Sequence, residues 1–255
     1  MWKIGLVGID FNYSINIPKE LTQKVLANNQ FVSSPLKSDS CKFDSTLSKY
    51  MDESCIKDMM TGNPRIQRLL DKHGLKPNIN TKELRNLAQN HLNDTKRVAL
   101  GIYEALPPEV KLKIDKNNLA EAAILHDFGK VLIPDAILNK KGALNDKEKE
   151  IMQLHSELGY EMLLTQNIKP EILKLIKYHH QNAKNTGYPK IQDIYEHNEA
   201  AEVLKAADIY SALRENRSYK TSLSPQEALS VMSKQTDGMD KTVLSALEKY
   251  VNNNN

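Results

Sequence analysis

The chain has 255 residues, 40% of them hydrophobic and 26% charged, an ordinary balance for a globular protein with one large domain and an appendage. Its formal net charge of +3 is spread along the sequence, which argues against a dedicated nucleic-acid or membrane surface. Two cysteines, Cys41 and Cys55, make neither a disulfide framework nor a zinc site, and no apolar run is long enough for a bilayer, so the expectation is a cytoplasmic protein with free thiols.

Residues 1–63 read as an N-terminal segment of mixed or irregular structure with no assignable function. "WKIGLVGI" looks like a short buried strand, and it lacks the long apolar region and cleavage site of a signal peptide. Gly5 and Gly8 do not make a nucleotide fingerprint, because the third glycine and the opening helix are missing. The serine-rich "NNQFVSSPLKSDSCKFDS" is loop-like, and short helices are expected around "STLSKYMDESCIKDMM".

Residues 64–251 read as helical throughout. Between Asn80 and Pro107-Pro108, Leu84, Leu87, His91, Leu92, Thr95, Val98 and Ile102 share one face, and Asn80 with Glu83 has capping-box spacing. "NNLAEAAILHDFG" predicts a shorter helix stopped by Gly129. In the next segment Asn145 and Glu148 form a second capping-box pair, ahead of Ile151, His155, Leu158 and Met162 on one side. Pro170 opens the helix that ends at His179 and His180. Val203, Leu204, Ala207, Asp208 and Ser211 line one side of another, Ser224 and Glu227 cap the next, and "DKTVLSALEKYV" forms the last.

The informative residues are polar groups on apolar faces. His91 and His155 face inward on two helices, His126 and Asp127 close a third, His179 and His180 close a fourth, and Asp208 lies within a fifth. Burying so many titratable groups is costly unless they are paired or bound to metal. A single core histidine is commonplace, but the whole set can converge at one point in a helical bundle. Imidazole and carboxylate donors without thiolate suit iron, manganese, zinc or similar divalent ions. Seven donors exceed one tetrahedral zinc and suit two ions sharing a bridging carboxylate, a pair able to activate water against phosphorus. Lys130 then faces the phosphoryl oxygens, or is simply a solvated lysine at a helix C-terminus.

In "AAILHDFGK" followed by "VLIPDAIL" the sequence resembles the HD superfamily of metal-dependent phosphohydrolases. With "IMQLHSELGYEML", "IKYHH", "TGYP" and "AADIYSALRENRSYK" in the same order, it resembles more narrowly the HD-GYP branch, which hydrolyses cyclic di-GMP. The resemblance covers about residues 85–250 and implies an all-α helical bundle. It implies that His91, His126, Asp127 and Asp208 hold one metal, and that Asp127 bridges to a second, completed by His155, His179 and His180. Lys130 is then the phosphate-facing lysine, Gly187, Tyr188 and Pro189 form the signature loop beside the substrate, and Arg217 and Lys220 clamp a phosphate. For Arg217 and Lys220 the alternative is a basic surface loop. The implied cofactors are two divalent transition-metal ions, iron or manganese. The implied reaction is hydrolysis of a 3′–5′ phosphodiester of cyclic di-GMP or a related cyclic dinucleotide through a metal-bridged hydroxide, giving pGpG and onward to GMP.

Several positions depart from the family pattern. Gln181 stands where a glutamate is usual, Lys184 and Asn185 fall in a stretch usually rich in Asp and Gly, Ser211 and Ser218 replace an aspartate and a proline, and Leu87 lacks the carboxylate of three-metal members. None removes one of the seven proposed ligands; they bear more on the substrate than on the chemistry. Two other readings stay open: a phosphohydrolase of the same fold acting on another nucleotide or phosphoester, and a signalling or scaffold module of low turnover. A nucleic-acid polymer or a membrane is not expected as a partner, whereas regulation by a partner chain is compatible with the unassigned first segment.

Overall fold

A computed structural model describes residues 45–87, 91–182, 184–191, 198–215, 222–235 and 239–254. The strand expected near the start, and Cys41, lie outside these residues. The helices in chain order are α1 (Ser45–Ser48), α2 (Glu53–Thr61), α3 (Pro64–Lys72), α4 (Thr81–Leu87), α5 (His91–Ala105), α6 (Pro108–Lys111) and α7 (Lys116–Leu125). A 3-10 turn over Phe128–Leu132 follows, then α8 (Asp135–Leu138), α9 (Asp146–Leu163), α10 (Pro170–Tyr178), α11 (Glu199–Arg214), α12 (Pro225–Gln235) and α13 (Lys241–Asn253). There is no strand among the described residues, so the all-α expectation holds for them.

Helix starts follow the sequence signals closely. At α9 the Asn145 side chain accepts from the Glu148 N–H at 2.9 Å, and the Glu148 carboxylate accepts from the Asn145 N–H at 2.7 Å, a complete capping box. Ser224 and Glu227 make the same exchange at the start of α12. At α4 the Asn80 side chain accepts from the Glu83 N–H at 3.0 Å and donates to the Ile133 carbonyl at 3.1 Å, so the cap also ties α4 to the end of the 3-10 turn. Each such cap is worth about 1 kcal/mol.

Burial sets how the helices assemble. α5 packs against α7, α11 and α13; α9 packs against α10, α3 and the 3-10 turn; α10 also rests on α7. Leu47, Ile56 and Met59, from α1 and α2, belong to the same buried apolar cluster as the later helices.

Two local expectations need correction. α11 does not have one buried side: residues 200–213 are all buried, because α5, α7, α10, α12 and α13 surround it. Of the three charged residues inside that stretch, Glu202 and Lys205 pair, with Lys205 Nζ 2.6 Å from Glu202 Oε2, and the third is Asp208. Nor does Gly129 stop α7, which ends at Leu125; Gly129 lies inside the 3-10 turn. A Cβ there would fall 2.0 Å from the His155 carbonyl oxygen and 2.4 Å from the Gly159 nitrogen. The glycine is required for close approach of the turn to α9, and not for a left-handed cap.

Candidate metal centre

Five histidines and two aspartates from five helices and their ends meet in two adjoining groups. His91, His126, Asp127 and Asp208 form one, and His155, His179 and His180 the other, each with one ligand-type atom per residue within 4.8 Å of the rest. All seven residues of the proposed set are therefore brought together.

The rings are fixed by the backbone. Nδ1 of His126 lies 2.9 Å from the Ala123 carbonyl, Nδ1 of His155 lies 2.7 Å from that of Met152, and Nδ1 of His179 lies 2.7 Å from that of Ile176. A carbonyl oxygen only accepts, so each Nδ1 carries the hydrogen, and in the neutral ring Nε2 keeps its lone pair. His126 Nε2 makes no hydrogen bond; it lies 3.4 Å from Asp127 Oδ2 and 3.6 Å from Asp208 Oδ1, spaced for a proton or a metal ion between them, and His155 Nε2 lies 3.2 Å from His180 Nε2. Nε2 of His155 and Nε2 of His179 face each other at 3.4 Å, an acceptor opposing an acceptor in these tautomers. The donor set thus fits divalent cations: buried imidazole lone pairs with their other nitrogen anchored, beside carboxylates.

Asp127 joins the groups. Its Oδ2 lies 3.7 Å from His91 Nε2 and 3.4 Å from His126 Nε2, whereas its Oδ1 lies 3.5 Å from His155 Nε2. Asp208 Oδ1 stays on the first side, 3.3 Å from His91 Nε2 and 3.6 Å from His126 Nε2. The approach that makes this possible is the contact of Gly129 with Gly159, which sets the Asp127 turn directly against the helix carrying His155.

Charge divides the two groups. Burial alone would lower the pKa of His126, but Asp127 and Asp208 outweigh it and push the ring up to about 10. Burial raises the carboxyls of Asp127 and Asp208, yet neighbouring charges and hydrogen bonds hold both well below the usual range. Lys130 acts on Asp127, and His126 and His91 on Asp208. On the other side burial pushes His155 down to about 4 and His179 down to about 3, and His180 well below its ordinary value. One group concentrates negative charge; the other presents neutral imidazoles.

The flanking residues take defined places. Lys130 Nζ lies 2.6 Å from Asp127 Oδ2, with its side chain largely buried rather than extended into solvent. Tyr188 is buried and stacks on His180, ring centroids 4.4 Å apart at 28°, so the signature loop closes over the histidine group. Gly187 is needed there, because a Cβ would meet the His180 carbonyl oxygen at 2.0 Å. Arg217 and Lys220 lie outside the described residues.

Sequence reasoning missed two neighbours. Glu215, the extended C-cap residue that follows α11, brings its Oε2 within 3.7 Å of His91 Nδ1. Gln181, which stands where a glutamate is usual, is buried and hydrogen-bonded through both ends of its amide.

This arrangement of helices and ligand-type residues is that of an HD domain: residues 81–243 match the HD domain family, and the chain belongs to it. Among curated relatives it is 32% identical over 131 residues to the cyclic di-GMP phosphodiesterase PA4108 of Pseudomonas aeruginosa, covering 51% of this chain and 32% of that protein. It is 30% identical over 139 residues to the 3'3'-cGAMP-specific phosphodiesterase 3 of Vibrio cholerae, covering 54% of this chain and 30% of that one. The chain thus spans about a third of the length of the curated relatives it matches. Among solved structures, Bd1817, an HDG"Y"P protein from Bdellovibrio bacteriovorus, superposes with a TM-score of 0.51 at 12% identity, over 81% of this chain and 68% of that one. At that identity the likeness concerns the fold. Among the described residues no helix is long and apolar enough to cross a membrane.

Proposed function

We propose that this chain is a metal-dependent phosphodiesterase that hydrolyses cyclic di-GMP or a related cyclic dinucleotide. The observation that carries the reading is the Asp127 carboxylate, which presents one oxygen to each of two buried groups suited to cations. The curated relatives, named for cyclic di-GMP and 3'3'-cGAMP, support this class of substrate.

In this reading His91, His126, Asp127 and Asp208 hold one ion, and Asp127, His155, His179 and His180 hold a second; iron or manganese suits the oxygen and nitrogen donors. Such ions supply Lewis acidity to the phosphodiester and to water. Asp127 fixes the spacing of the two groups. The ammonium of Lys130, held at the Asp127 carboxylate, is placed to offset charge that develops on the phosphoryl oxygens. Tyr188 and Gly187 form the wall on the histidine side and exclude water from it. Arg217 and Lys220 are assigned to a substrate phosphate. Residues 64–251 would be the catalytic unit, acting in the cytoplasm with no nucleic-acid polymer involved, open to regulation by a partner protein, and residues 1–63 carry no assigned function.

The test is purified protein loaded with manganese or ferrous iron and offered cyclic di-GMP, 3'3'-cGAMP, cyclic di-AMP and simple nucleotide phosphoesters. About two ions per chain and linear dinucleotide as first product are expected. Cleavage confined to non-cyclic phosphoesters, or none by protein carrying both ions, would overturn the reading.

A further inference from the structure

We propose that Gln181 is a positioning residue that fastens the 187–189 loop to the histidine pair, and that this role requires an amide, not a carboxylate, at position 181. The inference deepens the reading of a cyclic-dinucleotide phosphodiesterase and rests on it for the substrate used below.

Gln181 follows His179 and His180 directly and is buried. Its Nε2 donates to the Pro189 carbonyl at 2.8 Å and to Asn185 Oδ1 at 2.9 Å. Its Oε1 accepts from the N–H of Gly187 at 3.1 Å and from the N–H of Asn182 at 3.2 Å. The orientation of the amide is forced by the backbone. The Pro189 oxygen has only lone pairs and the Gly187 nitrogen has only a hydrogen to offer, so a flipped amide would set like against like at both. Two donor hydrogens and two lone pairs are all engaged, and the bonds bracket Tyr188, whose ring lies on His180.

A glutamate at 181 would still accept from Gly187 and Asn182. Its second oxygen would turn lone pairs toward the Pro189 carbonyl and toward Asn185 Oδ1, and it would bring a buried negative charge. The lysine that meets Gln181 is already engaged. Lys205 Nζ donates to the Gln181 backbone carbonyl at 3.2 Å and lies 2.6 Å from Glu202 Oε2. Lys205 and Glu202 are buried on α11, with Lys205 one turn before Asp208, so position 181 joins the loop, the histidine pair and the helix carrying Asp208. The rest of the loop is built from neutral amides in the same manner. Asn182 Oδ1 accepts from the N–H of Lys184 at 2.9 Å and of Thr186 at 3.2 Å, and Asn185 takes the left-handed conformation, φ 52°, that asparagine tolerates. Gln181, Asn182, Asn185 and Thr186 form a self-bonded scaffold, and restoring the family's usual glutamate would break it.

The experiment compares the full-length wild type with Gln181→Glu and with the uncharged, similarly sized Gln181→Met, all loaded with manganese. Both variants should keep about two ions per chain, raise KM for cyclic di-GMP about tenfold or more, and leave kcat within about threefold. Independently of turnover, amide hydrogen exchange of residues 184–191 should accelerate about tenfold or more in both, with α9 and α11 unchanged. Wild-type KM and exchange in Gln181→Glu would overturn the proposal. A defect in Gln181→Glu with wild-type behaviour in Gln181→Met would also overturn it, by reducing the effect to a buried charge. A wild type that binds manganese yet cleaves no cyclic dinucleotide would sink the substrate reading, while the exchange comparison would still decide the role of Gln181.

Discussion

The two groups of ligand-type residues lie side by side but differ in how they answer to charge. The carboxylate-bearing group holds a proton on His126 up to about 10, which means that it already binds the smallest of cations tightly. The histidine group does the opposite: His155 and His179 stay neutral down to about 4 and about 3, offering lone pairs and little attraction for charge. The lesson is that the second group depends on Asp127 for the negative charge that would hold an ion there. Removing that link, or prising the groups apart, should therefore affect them unequally.

The largest effect is expected from Asp127→Ala. Turnover should fall about a thousandfold or more, and elemental analysis should find at most about one ion per chain where the wild type carries about two. Retention of both ions would show that the groups bind independently and would break the comparison. Lys130→Met should lower kcat by about a hundredfold with metal content unchanged, because its ammonium is a charge beside the centre rather than a ligand. Steady-state kinetics beside metal analysis separates the two roles, and an unaltered kcat would return Lys130 to a merely structural salt bridge.

Gly129→Ala tests the spacing. The added Cβ would meet the His155 carbonyl oxygen at 2.0 Å, so the turn must retreat from α9, at about 2 to 3 kcal/mol by urea denaturation. Stability unchanged within about 0.5 kcal/mol would mean that the turn relaxes without strain. The smallest effect is expected from pH on the metal-free protein, and the two groups should respond at opposite ends. His155 and His179 have folded values below the ordinary 6.5, so their contribution is complete above pH 6.5 and is lost as pH falls toward about 4 and about 3. The folded value of His126 is raised, so its contribution is complete below pH 6.5 and is lost as pH rises toward about 10. Thermal melts should fall on the order of 5 °C on each limb. His179→Gln should shrink only the acid limb, leaving the part due to His155, and His126→Gln should shrink only the alkaline one; a single symmetric response would show that the two groups titrate as one.

Much of this was legible in the sequence because it is local. The capping box of Asn145 with Glu148 is read from three residues' spacing, and the inward places of His91 and His155 follow from helical periodicity alone. What escaped is contact between distant segments. A glycine after an apolar helical run looks like a terminator, and only the packing of the 3-10 turn on α9 shows that Gly129 serves an approach to His155. α11 reads as one-sided because Glu202 and Lys205 look like solvated charges; that they neutralise each other in the interior depends on five surrounding helices. Gln181 looks like a loss when compared with a family pattern, since the pattern says nothing of the Pro189 carbonyl it must serve.

The bonds from imidazole Nδ1 to the carbonyl three residues earlier have a consequence for metal selection. At His126, His155 and His179 the ring orientation is a property of the helix itself, since turning a ring would leave a buried N–H unpaired. The entropy of ordering these ligands is therefore met during folding, and the centre is preorganised before any ion arrives. A cage that cannot reshape itself discriminates by size and coordination number, so which divalent ion occupies it is decided by fit and by availability rather than by adjustment of the protein.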